Sequence, residues 1–554
     1  MKDNIKGFLY PVLFSLIISL PIIYPYFHSG FFPTHDGEWA VVRLADMFRS
    51  IKDLQFPVRY SGALNFGYGY PLFNFTYPLP YYLGILLYPL ARSFVITIKI
   101  EFVLSVILSG ITMYYASKQL WGSKAAGYIS TILYIYLPYR MVDLYVRGSL
   151  GESLSFVIFP CMFYIGLKLF TTSKKSLYVA LLAITIAALV MMHNIMTILF
   201  LPLFGSFFFV RIFFEKRWDV AVLVCSALLL GAGISAFFWI PALLEKHDIA
   251  LSLIPIAKRS LYFVQLKQLI IPTWGFAPPT EHGGFSYQLG IGQILALLFV
   301  LILTIVGYTK KKKSYAIHCV SILLVLSVCY FLMMFSFTQK IWETIPLLQE
   351  INYPWTMLSQ LGFLTALLGG FAAWYSKRSL YVASGIAIIT VFLVIPYAQP
   401  SSLVDRGDQF YLTNEATTTS SDELMPIWVK TKPSSHFVDK VEAVSGSPVI
   451  TDVRYTSKRI SFTAHATAPS EFAINTIFYP GWEAESNGNK LPITYTGKKG
   501  IMHIRMDTGT HVVGLFFRET TQRTIADLIS LLTIGIIGML FIRVGFNMVR
   551  RKYE

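Results

Sequence analysis

The segment SFVITIKIEFVLSVILSGITMYYAS, residues 93–117, sets the class of fold for this chain. Its only charged side chains are Lys99 and Glu101, and it is long enough to cross a lipid bilayer as one helix. Similar runs recur along all 554 residues, of which 55% are hydrophobic and 14% charged, with a mean hydropathy of +0.57. Soluble proteins carry about 25% charged residues. We therefore predict a polytopic α-helical membrane protein and not a soluble enzyme.

The apolar runs predict about twelve membrane spans. They cover residues 8–27, 93–117, 124–140, 152–170, 176–193, 194–213, 219–241, 286–308, 314–336, 355–376, 379–396 and 525–547. Every second boundary carries Lys or Arg, which is typical of inner loops, so the chain is predicted to begin inside with an uncleaved first span. Residues 77–91 are apolar but short and contain three prolines, and we interpret them as an interfacial or re-entrant piece.

This topology predicts three parts of the chain. Residues 1–396 form a membrane domain, within which residues 28–92 are the first outer loop. Residues 397–524 form an outer, β-rich domain, and residues 525–554 form the last span with a basic inner tail. The fold class is thus a helical membrane protein with a β-sandwich near its carboxyl terminus.

The predicted outer domain has the alternating pattern of β-strands. Apolar and polar residues alternate in RISFTAHA and GLFFRE, and turn signals stand at Asn487-Gly488 and at Asp507 to Gly509. Residues 397–524 contain 13 Lys+Arg and 13 Asp+Glu, so the net charge of +16 belongs to the remainder of the chain. Basic inner loops of this kind predict contact with membrane lipids. No basic stretch is interleaved with stacking aromatics, so nucleic acid is not a predicted partner.

Missing motifs exclude several kinds of enzyme. The sequence has no Walker A loop, no GxGxxG after a strand, no HExxH and no GxSxG. Its four cysteines lie inside apolar runs without CxxC spacing, so no metal site built on cysteine is predicted. Chemistry at an outer surface without a nucleotide needs a donor that is already activated and already in the membrane.

The first outer loop contains the main candidate catalytic residue. Apolar residues recur at helical spacing between Gly37 and Asp53, which predicts an amphipathic helix at the membrane surface. His35, Asp36 and Glu38 stand at its start. Asp36 is a candidate general base, with Glu38 and His35 as candidate substrate-binding residues; the alternative is that Asp36 merely caps the helix.

A second candidate cluster is LYVRGSLGES, residues 144–153, in a short outer loop. Arg147 can bind a phosphate, Gly148 lets the backbone approach it, and Glu152 opens the next helix. The alternative is that Arg147 and Glu152 form a salt bridge within a turn.

Other polar and aromatic residues are predicted near the outer boundary. His193 lies between two apolar runs, where it can orient a substrate group or form a polar turn, and Lys99 lies near the outer end of its span. A set of aromatic residues is predicted to belong to the interfacial belt, namely Tyr287, Trp342, Tyr353 and Trp355.

Six motifs occur in order over nearly the whole chain. They are HDG at 35–37, GYGYPLFNFTYPLPYYL at 67–83, RGSLGE at 147–152, IWETIPLLQEINYPW at 341–355, ELMPIW at 423–428 and FYPGWEAESNGNK at 478–490. In combination they resemble large bacterial multi-spanning proteins of the GT-C glycosyltransferase type. That type includes members labelled 6-pyruvoyl-tetrahydropterin synthase-related and members similar to lipoteichoic-acid glycosylating proteins.

The resemblance implies a GT-C-like membrane glycosyltransferase of the bacterial plasma membrane. The donor it implies is a polyprenyl-phosphate-linked sugar, and the acceptor a cell-envelope glycan or glycopolymer on the outer face. It assigns the base role to Asp36 and places Arg147 and Glu152 near the donor phosphate. Further candidate substrate contacts are His35, Glu38, Lys99 and His193. No cofactor is implied with certainty, and a divalent metal is left open.

Two other classes of function stay open on sequence alone. A lipid-linked glycan carrier or flippase also needs many spans and an arginine near a phosphate. A transporter, however, typically shows ionisable groups at mid-membrane and internal repeats, whereas the charged candidates here lie at the outer boundary. A non-catalytic scaffold for envelope assembly predicts that Asp36 is dispensable.

Overall fold

The computed structural model describes residues 2–253, 257–280, 283–309, 315–413, 417–419 and 421–553. Within these residues, a bundle of apolar helices carries a layer of loops and two β-sheets at one end. That end contains the predicted first outer loop and the predicted outer domain, and we call it the outer end.

The helices follow the hydrophobic pattern of the sequence. They are α1 (Lys2–Ile23), α2 (Gly37–Lys52), α3 (Leu72–Phe75), α4 (Leu79–Ala91), α5 (Phe94–Trp121), α6 (Lys124–Ile135), α7 (Pro138–Val142), α8 (Leu150–Thr171), α9 (Lys175–Met192), α10 (Asn194–Glu215), α11 (Trp218–Ile234), α12 (Ala236–Leu244), α13 (Leu266–Ile270), α14 (Ile291–Thr309), α15 (Tyr315–Leu332), α16 (Gln339–Thr344), α17 (Pro346–Gln349), α18 (Leu358–Tyr375), α19 (Lys377–Val394), α20 (Asp408–Leu412) and α21 (Thr521–Tyr553). A π-helical turn, Asp143–Arg147, follows α7.

Ten helices in the described ranges are long and apolar enough to cross a membrane, or eleven if the bent pair α11 and α12 is one span. The predicted count of about twelve is therefore slightly too high. The difference lies in the predicted span 124–140, where α6 ends at Ile135. Leu137 precedes Pro138 and has an extended backbone, since the residue before a proline is disfavoured in helices.

Helix α12 is bent away from α11 by 71°. Pro241 inside α12 has no N–H, so the carbonyl of Phe237 loses its helical partner. Arg59 Nη1 donates to that carbonyl at 2.9 Å. Arg59 thereby attaches the first outer loop to the bundle through a carbonyl group that has no donor within α12.

Helix α18 forms the centre of the bundle. Every residue from Leu358 to Ala373 is buried, and α18 packs against α6, α14, α15 and α19. A Cβ atom at Gly370 would overlap the hydroxyl groups of Ser117 and Ser130. The absence of a side chain thus allows α5, α6 and α18 to approach closely, as is common between membrane helices.

The predicted helix at 37–53 is confirmed as α2, but it is not an exposed helix on a membrane surface. It packs against α4, α5 and α20, and most of its side chains are buried. Arg406, just before α20, pairs with Glu38 at 3.1 Å. The segment around α20 therefore covers the polar side of α2 that the sequence pattern left for solvent.

Residues 77–91 contain α4, a 13-residue apolar helix that is shorter than a span. Leu86 and Leu90 on α4 are exposed. A short helix of this kind fits the predicted interfacial or re-entrant piece.

The predicted β-sandwich is confirmed as two antiparallel sheets. Two strands elsewhere, β1 (Phe276–Thr280) and β2 (Gly283–Phe285), form a separate hairpin before α14. The sandwich strands are β3 (Val441–Ser445), β4 (Val449–Tyr455), β5 (Arg459–Ala466), β6 (Ser470–Ile477), β7 (Trp482–Ser486), β8 (Asn489–Leu491), β9 (Ile501–Met506) and β10 (Gly509–Phe517). Their order is β4-β5-β10-β7-β8 in one sheet and β3-β6-β9 in the other. Phe462 and Phe472 meet between the sheets, with ring centroids 5.7 Å apart.

The two predicted turns are confirmed. One connects neighbouring strands of the same sheet, and the other connects strands of different sheets. Asn487-Gly488 joins β7 to β8 as a hairpin, and both residues have positive φ, which a type I′ turn requires. Asp507 to Gly509 lies between β9 and β10, which belong to different sheets. That second turn therefore carries the chain across the sandwich.

One buried carboxylate joins four parts of the outer end. Glu245, which follows α12, accepts two hydrogen bonds from Arg523 of α21, at 2.8 and 2.7 Å. It also accepts from Asn74 in the first outer loop at 2.8 Å and from Tyr479, between β6 and β7, at 2.9 Å. Both Glu245 and Arg523 are almost completely buried. The bundle, the loop, the sandwich and the last helix thus share one charged contact.

We expect Arg523→Met to destabilise the protein by about 3–5 kcal/mol, because it leaves the Glu245 carboxylate buried without its cation. Thermal unfolding of the purified chain in lipid nanodiscs, followed by tryptophan fluorescence, measures the effect.

The control is Arg505→Met, which removes an arginine whose side chain is 81% exposed beside Glu471. Its expected cost is about 1 kcal/mol or less, as for other surface ion pairs. Equal losses in the two variants would contradict a special role for the Glu245 contact.

Candidate functional site

The cap of α2 comes from Thr34 and not from Asp36. The Gly37 amide donates to Thr34 Oγ1 at 2.9 Å, whereas Asp36 makes no side-chain capping bond although it occupies the N-cap position. The alternative interpretation, in which the Asp36 side chain only caps the helix, is therefore wrong. In the described residues no donor is hydrogen-bonded to the Asp36 carboxylate, which is half-buried.

Backbone hydrogen bonds hold Asp36 beside the second candidate cluster. The His35 amide donates to the Val146 carbonyl at 3.0 Å, and the Asp36 amide donates to the Arg147 carbonyl at 2.7 Å. The two candidate segments, separated by more than a hundred residues, thus lie side by side. The Asp36 carboxylate is close enough to the Arg147 guanidinium for their charges to interact.

Gly148 permits this approach. Its φ is +63°, a region that favours glycine, and a Cβ atom there would lie 2.8 Å from the Gly37 amide nitrogen and would overlap the Thr34 hydroxyl. Gly148 follows the π-helical turn Asp143–Arg147, a rare form that is frequent at functional sites.

Arg147 is held by one nitrogen and has two others available. Its Nη1 contacts Glu152 Oε2 and the Tyr139 hydroxyl, and its guanidinium carbon lies 5.0 Å from the centre of the Trp355 ring. In the described part of the chain, Nε and Nη2 make no hydrogen bond to protein. Arg147 therefore forms the predicted salt bridge with Glu152 and still presents two donors.

A buried charged network supports Arg147. Asp143 accepts a hydrogen bond from the Ser153 hydroxyl at 2.5 Å and lies 3.8 Å from Arg140 Nη1 and 3.7 Å from Arg147 Nη1. Burial and the neighbouring Glu152 carboxylate raise the pKa of Asp143. Arg140 and Arg147 thus face the carboxylates of Asp143 and Glu152, and these ion pairs hold the Arg147 guanidinium in place.

His35 lines the same region. Its Nε2 is 3.1 Å from the carbonyl oxygen of Phe276 in β1, and its ring centroid is 5.9 Å from that of Phe285 in β2. Burial lowers the pKa of His35. The hairpin of β1 and β2 thus forms one wall of the site.

His193 lies at the start of α10 and serves that helix. Its Nδ1 accepts from the Met196 amide at 3.4 Å, and its ring stacks on Tyr77 with centroids 4.8 Å apart. Burial lowers the pKa of His193 to about 4, so the ring is neutral at pH 7. These contacts fit the polar-turn alternative, and a direct substrate contact for His193 stays a prediction.

Two predicted site residues point to other partners. Lys99 donates to the carbonyl oxygens of His28 and Gly30, and Glu38 bonds to Arg406 and to the Tyr411 hydroxyl. In the described ranges neither one contacts Asp36 or Arg147. Their substrate-binding roles stay predictions.

Sequence reasoning missed the residues that support Arg147. Tyr139 lies between Arg147 and Glu152, and its hydroxyl donates to Glu152 Oε1 at 2.7 Å. Trp355, predicted for the interfacial belt, is only 2% exposed and lies against Arg147. The Pro354-Trp355 pair in the motif at 341–355 could have indicated a functional role for Trp355. Because it lies far from Arg147 in the chain, the sequence did not predict their contact.

The donor set does not fit a divalent metal. The Asp36 carboxylate lies beside a cationic guanidinium, and the described part of the chain has no group of three or more His, Cys, Asp or Glu side chains that could hold a metal ion.

A family model described as "6-pyruvoyl-tetrahydropterin synthase related domain; membrane protein" matches residues 73–404. The match includes Arg147, Glu152 and His193 and begins after Asp36. An uncharacterized protein of Lactococcus lactis subsp. cremoris (strain MG1363) is 22% identical over 332 residues, which are 56% of this chain and 52% of that protein. The chain thus spans about half the length of this relative.

Two solved structures share a distant likeness with the chain. The arabinofuranosyltransferase AftD from Mycobacteria matches with 13% identity and a TM-score of 0.42, over 71% of this chain and 26% of its own. The oligosaccharyltransferase AglB from Archaeoglobus fulgidus, solved with an inhibitory peptide and a dolichol-phosphate, matches with 13% identity and a TM-score of 0.41, over 74% and 57%. Likenesses this distant decide neither the arrangement nor the activity of this chain.

The capping geometry predicts different effects on stability for substitutions at Thr34 and at Asp36. We expect Thr34→Val to destabilise the protein by about 1 kcal/mol, because α2 loses its cap. Asp36→Asn is expected to change stability by less than about 0.5 kcal/mol, because its side chain bonds to nothing in the described residues. Thermal unfolding in nanodiscs compares the two, and the opposite order would show that Asp36 caps α2 in solution.

We expect Gly148→Ala to separate the two candidate segments, because the new Cβ has no space beside Thr34. Hydrogen exchange measured by mass spectrometry should show faster exchange of the amides of His35 and Asp36. Gly122→Ala is the matched control, since Gly122 also has a positive φ of +69° but has nothing within 4 Å of a Cβ. Unchanged exchange in Gly148→Ala would contradict the close approach.

Proposed function

The chain belongs to the 6-pyruvoyl-tetrahydropterin synthase-related family of membrane proteins, as its motifs predict, and on that premise we propose that it is a membrane glycosyltransferase. The proposed donor is a polyprenyl-phosphate-linked sugar, and the proposed acceptor is a hydroxyl group of a glycan or glycopolymer of the cell envelope. The site at the outer end of the bundle carries the proposed reaction.

The observation that carries the proposal is the state of Asp36. The Asp36 carboxylate is half-buried, and among the described residues it neither caps α2 nor accepts another hydrogen bond. Its backbone is nevertheless fixed by the bond to the Arg147 carbonyl at 2.7 Å. A fixed carboxylate without a partner suits a general base that must accept a proton from a substrate.

Arg147 supplies the complementary group. Its hydrogen bonds to the described residues all use Nη1, and bidentate binding of phosphate oxygens is a common use of a guanidinium. The salt bridge to Glu152 and the Trp355 ring fix the guanidinium before a ligand binds. A positive group that is already oriented stabilises charge that develops on a leaving phosphate.

The proposed step is a displacement at the anomeric carbon of the donor. The acceptor oxygen forms a bond to C1, and the bond between C1 and the phosphate oxygen breaks. The acceptor proton passes to the Asp36 carboxylate, and the lipid phosphate leaves with its negative charge beside Arg147. The donor stays in the membrane and the acceptor on the outer side, so binding both makes the reaction effectively unimolecular.

The location of the site favours a lipid-linked donor over a soluble one. Arg147 and Glu152 lie where α8 begins, and α8 is one of the helices long and apolar enough to span a membrane. A sugar carried on a membrane lipid would approach this level of the bundle from the side.

We expect Asp36→Asn to lower sugar transfer by about 10²- to 10⁴-fold, because the acceptor loses its general base. The measurement uses purified protein in lipid nanodiscs, supplied with polyprenyl-phosphate sugars, and follows both sugar release and transfer. Donor binding, measured separately, should change little.

The control is Asp452→Asn, an exposed residue of β4 with positive φ, a conformation that asparagine tolerates. It should retain full turnover. Unchanged turnover in Asp36→Asn would leave an enzyme with a different base. Donor binding by the native protein without any release or transfer would instead favour a carrier.

A further inference from the structure

Three unpaired lysines lie at the end of the helix bundle opposite to the outer end, which we call the inner end. Lys118 lies near the end of α5, Lys168 lies near the end of α8, and Lys124 begins α6. Lys118 is close enough to the other two for their positive charges to repel. Among the described residues, none of these amines donates a hydrogen bond or forms an ion pair. The cluster therefore lacks a counter-ion within the described part of the chain.

Other basic residues at the inner end already have acidic partners. Arg211 of α10 pairs with Glu215 at 2.9 Å. Arg217, which precedes α11, pairs with Asp219 at 2.7 Å. Basic inner loops are expected in any membrane protein, but that expectation does not place three unpaired amines together. The lysine cluster thus differs from the other cations at this end of the bundle.

Two tyrosine rings connect the amines of α5 and α8. Lys118 Nζ lies 6.0 Å from the centre of the Tyr115 ring, and Lys168 Nζ lies 5.5 Å from the centre of the Tyr164 ring. The two ring centres are 6.1 Å apart. All four side chains are partly exposed, so their polar atoms are accessible from outside the bundle. Lys118 and Lys168 therefore lie on one accessible surface between the two helices.

The same order of residue types follows this surface along both helices. Each helix presents apolar side chains, then a tyrosine, then a lysine toward its inner end, at intervals of three or four positions that keep them on one face. These partly or fully exposed residues are Leu108, Ile111, Tyr115 and Lys118 on α5, and Val157, Cys161, Tyr164 and Lys168 on α8. Both helices are long and apolar enough to span a membrane, and they pack against each other. We call this surface the α5–α8 groove.

The groove matches the parts of a phospholipid in their order across a leaflet. Acyl chains lie beside apolar residues, tyrosine favours the boundary, and lysine extends its amine to the headgroup level. Phosphate oxygens accept hydrogen bonds from ammonium groups and compensate their charge. A zwitterionic headgroup brings a cation of its own, and a soluble phosphate makes no use of the apolar residues. An anionic phospholipid satisfies both parts of the groove.

We propose that the α5–α8 groove binds an anionic phospholipid of the inner leaflet, with the lipid phosphate at Lys118, Lys124 and Lys168. The bound lipid neutralises the cluster and joins the inner ends of α5, α6 and α8. The groove lies at the opposite end of the bundle from Asp36, so this inference does not rest on the proposed function.

The test is native mass spectrometry of the full chain in detergent with added phosphatidylglycerol or phosphatidylcholine. We expect the native protein to bind phosphatidylglycerol about tenfold more tightly or better, because each lysine near an anionic headgroup adds to the affinity. The double variant Lys118→Gln/Lys168→Gln should lose this preference. Lys118→Arg/Lys168→Arg, which keeps both charges, should retain it.

The matched control is Lys216→Gln/Lys377→Gln, which removes two exposed lysines at the same end of the bundle. It loses as much charge as Lys118→Gln/Lys168→Gln but should keep the preference for phosphatidylglycerol. The proposal is overturned if the native protein binds both lipids equally, or if the two glutamine double variants bind phosphatidylglycerol with the same affinity.

Glycerol 3-phosphate separates a lipid from a soluble phosphate as the ligand, since it carries the phosphate of the headgroup without acyl chains. We expect that it does not displace phosphatidylglycerol from the native protein at equal concentration. Displacement would overturn the assignment of the groove to a lipid.

Discussion

The buried contact between Glu245 and Arg523 organises the outer end of this protein. A carboxylate removed from water is costly unless it is fully paired, and Glu245 obtains its partners from three distant segments at once. Because no smaller set satisfies it as well, the bundle, the first outer loop, the sandwich and the last helix must assemble together. The second clamp, Arg59, repeats the principle with Glu519, Asp527 and the carbonyl that Pro241 leaves free in α12.

The candidate site depends on that assembly, but individually weaker interactions position its residues. Once the loop is anchored, two backbone hydrogen bonds and the missing side chain of Gly148 bring Asp36 against the turn that carries Arg147. Thr34 performs the capping, so the Asp36 carboxylate is not consumed by the helix it precedes. Neighbouring residues thus supply the structural contacts. Asp36 and Arg147 keep polar atoms that are not hydrogen-bonded to the described residues.

Helix α2 connects two different environments. Its start lies beside the charged network at the level where the membrane helices begin, and its far half lines a polar cleft against the β-sandwich. A rigid helix of 16 residues fixes the spacing between them. This arrangement fixes the distance between the candidate site and the β-sandwich.

The class of the protein could be predicted from sequence, because hydrophobic length and basic loops are local properties that each segment shows separately. The sequence also predicted α2, the sandwich strands and the hairpin at Asn487-Gly488, since helical spacing, alternation and turn chemistry are short-range. In the described residues the helices differ from the predicted spans at 124–140, where α6 ends before Pro138, and at 219–241, where α12 is bent away from α11. The long-range partnerships came from tertiary structure: the His35 and Asp36 amides bond to the carbonyls of Val146 and Arg147, and Trp355 lies against Arg147. These facts depend on contacts between residues far apart in the chain, and no local pattern encodes which distant group will fill a hydrogen bond.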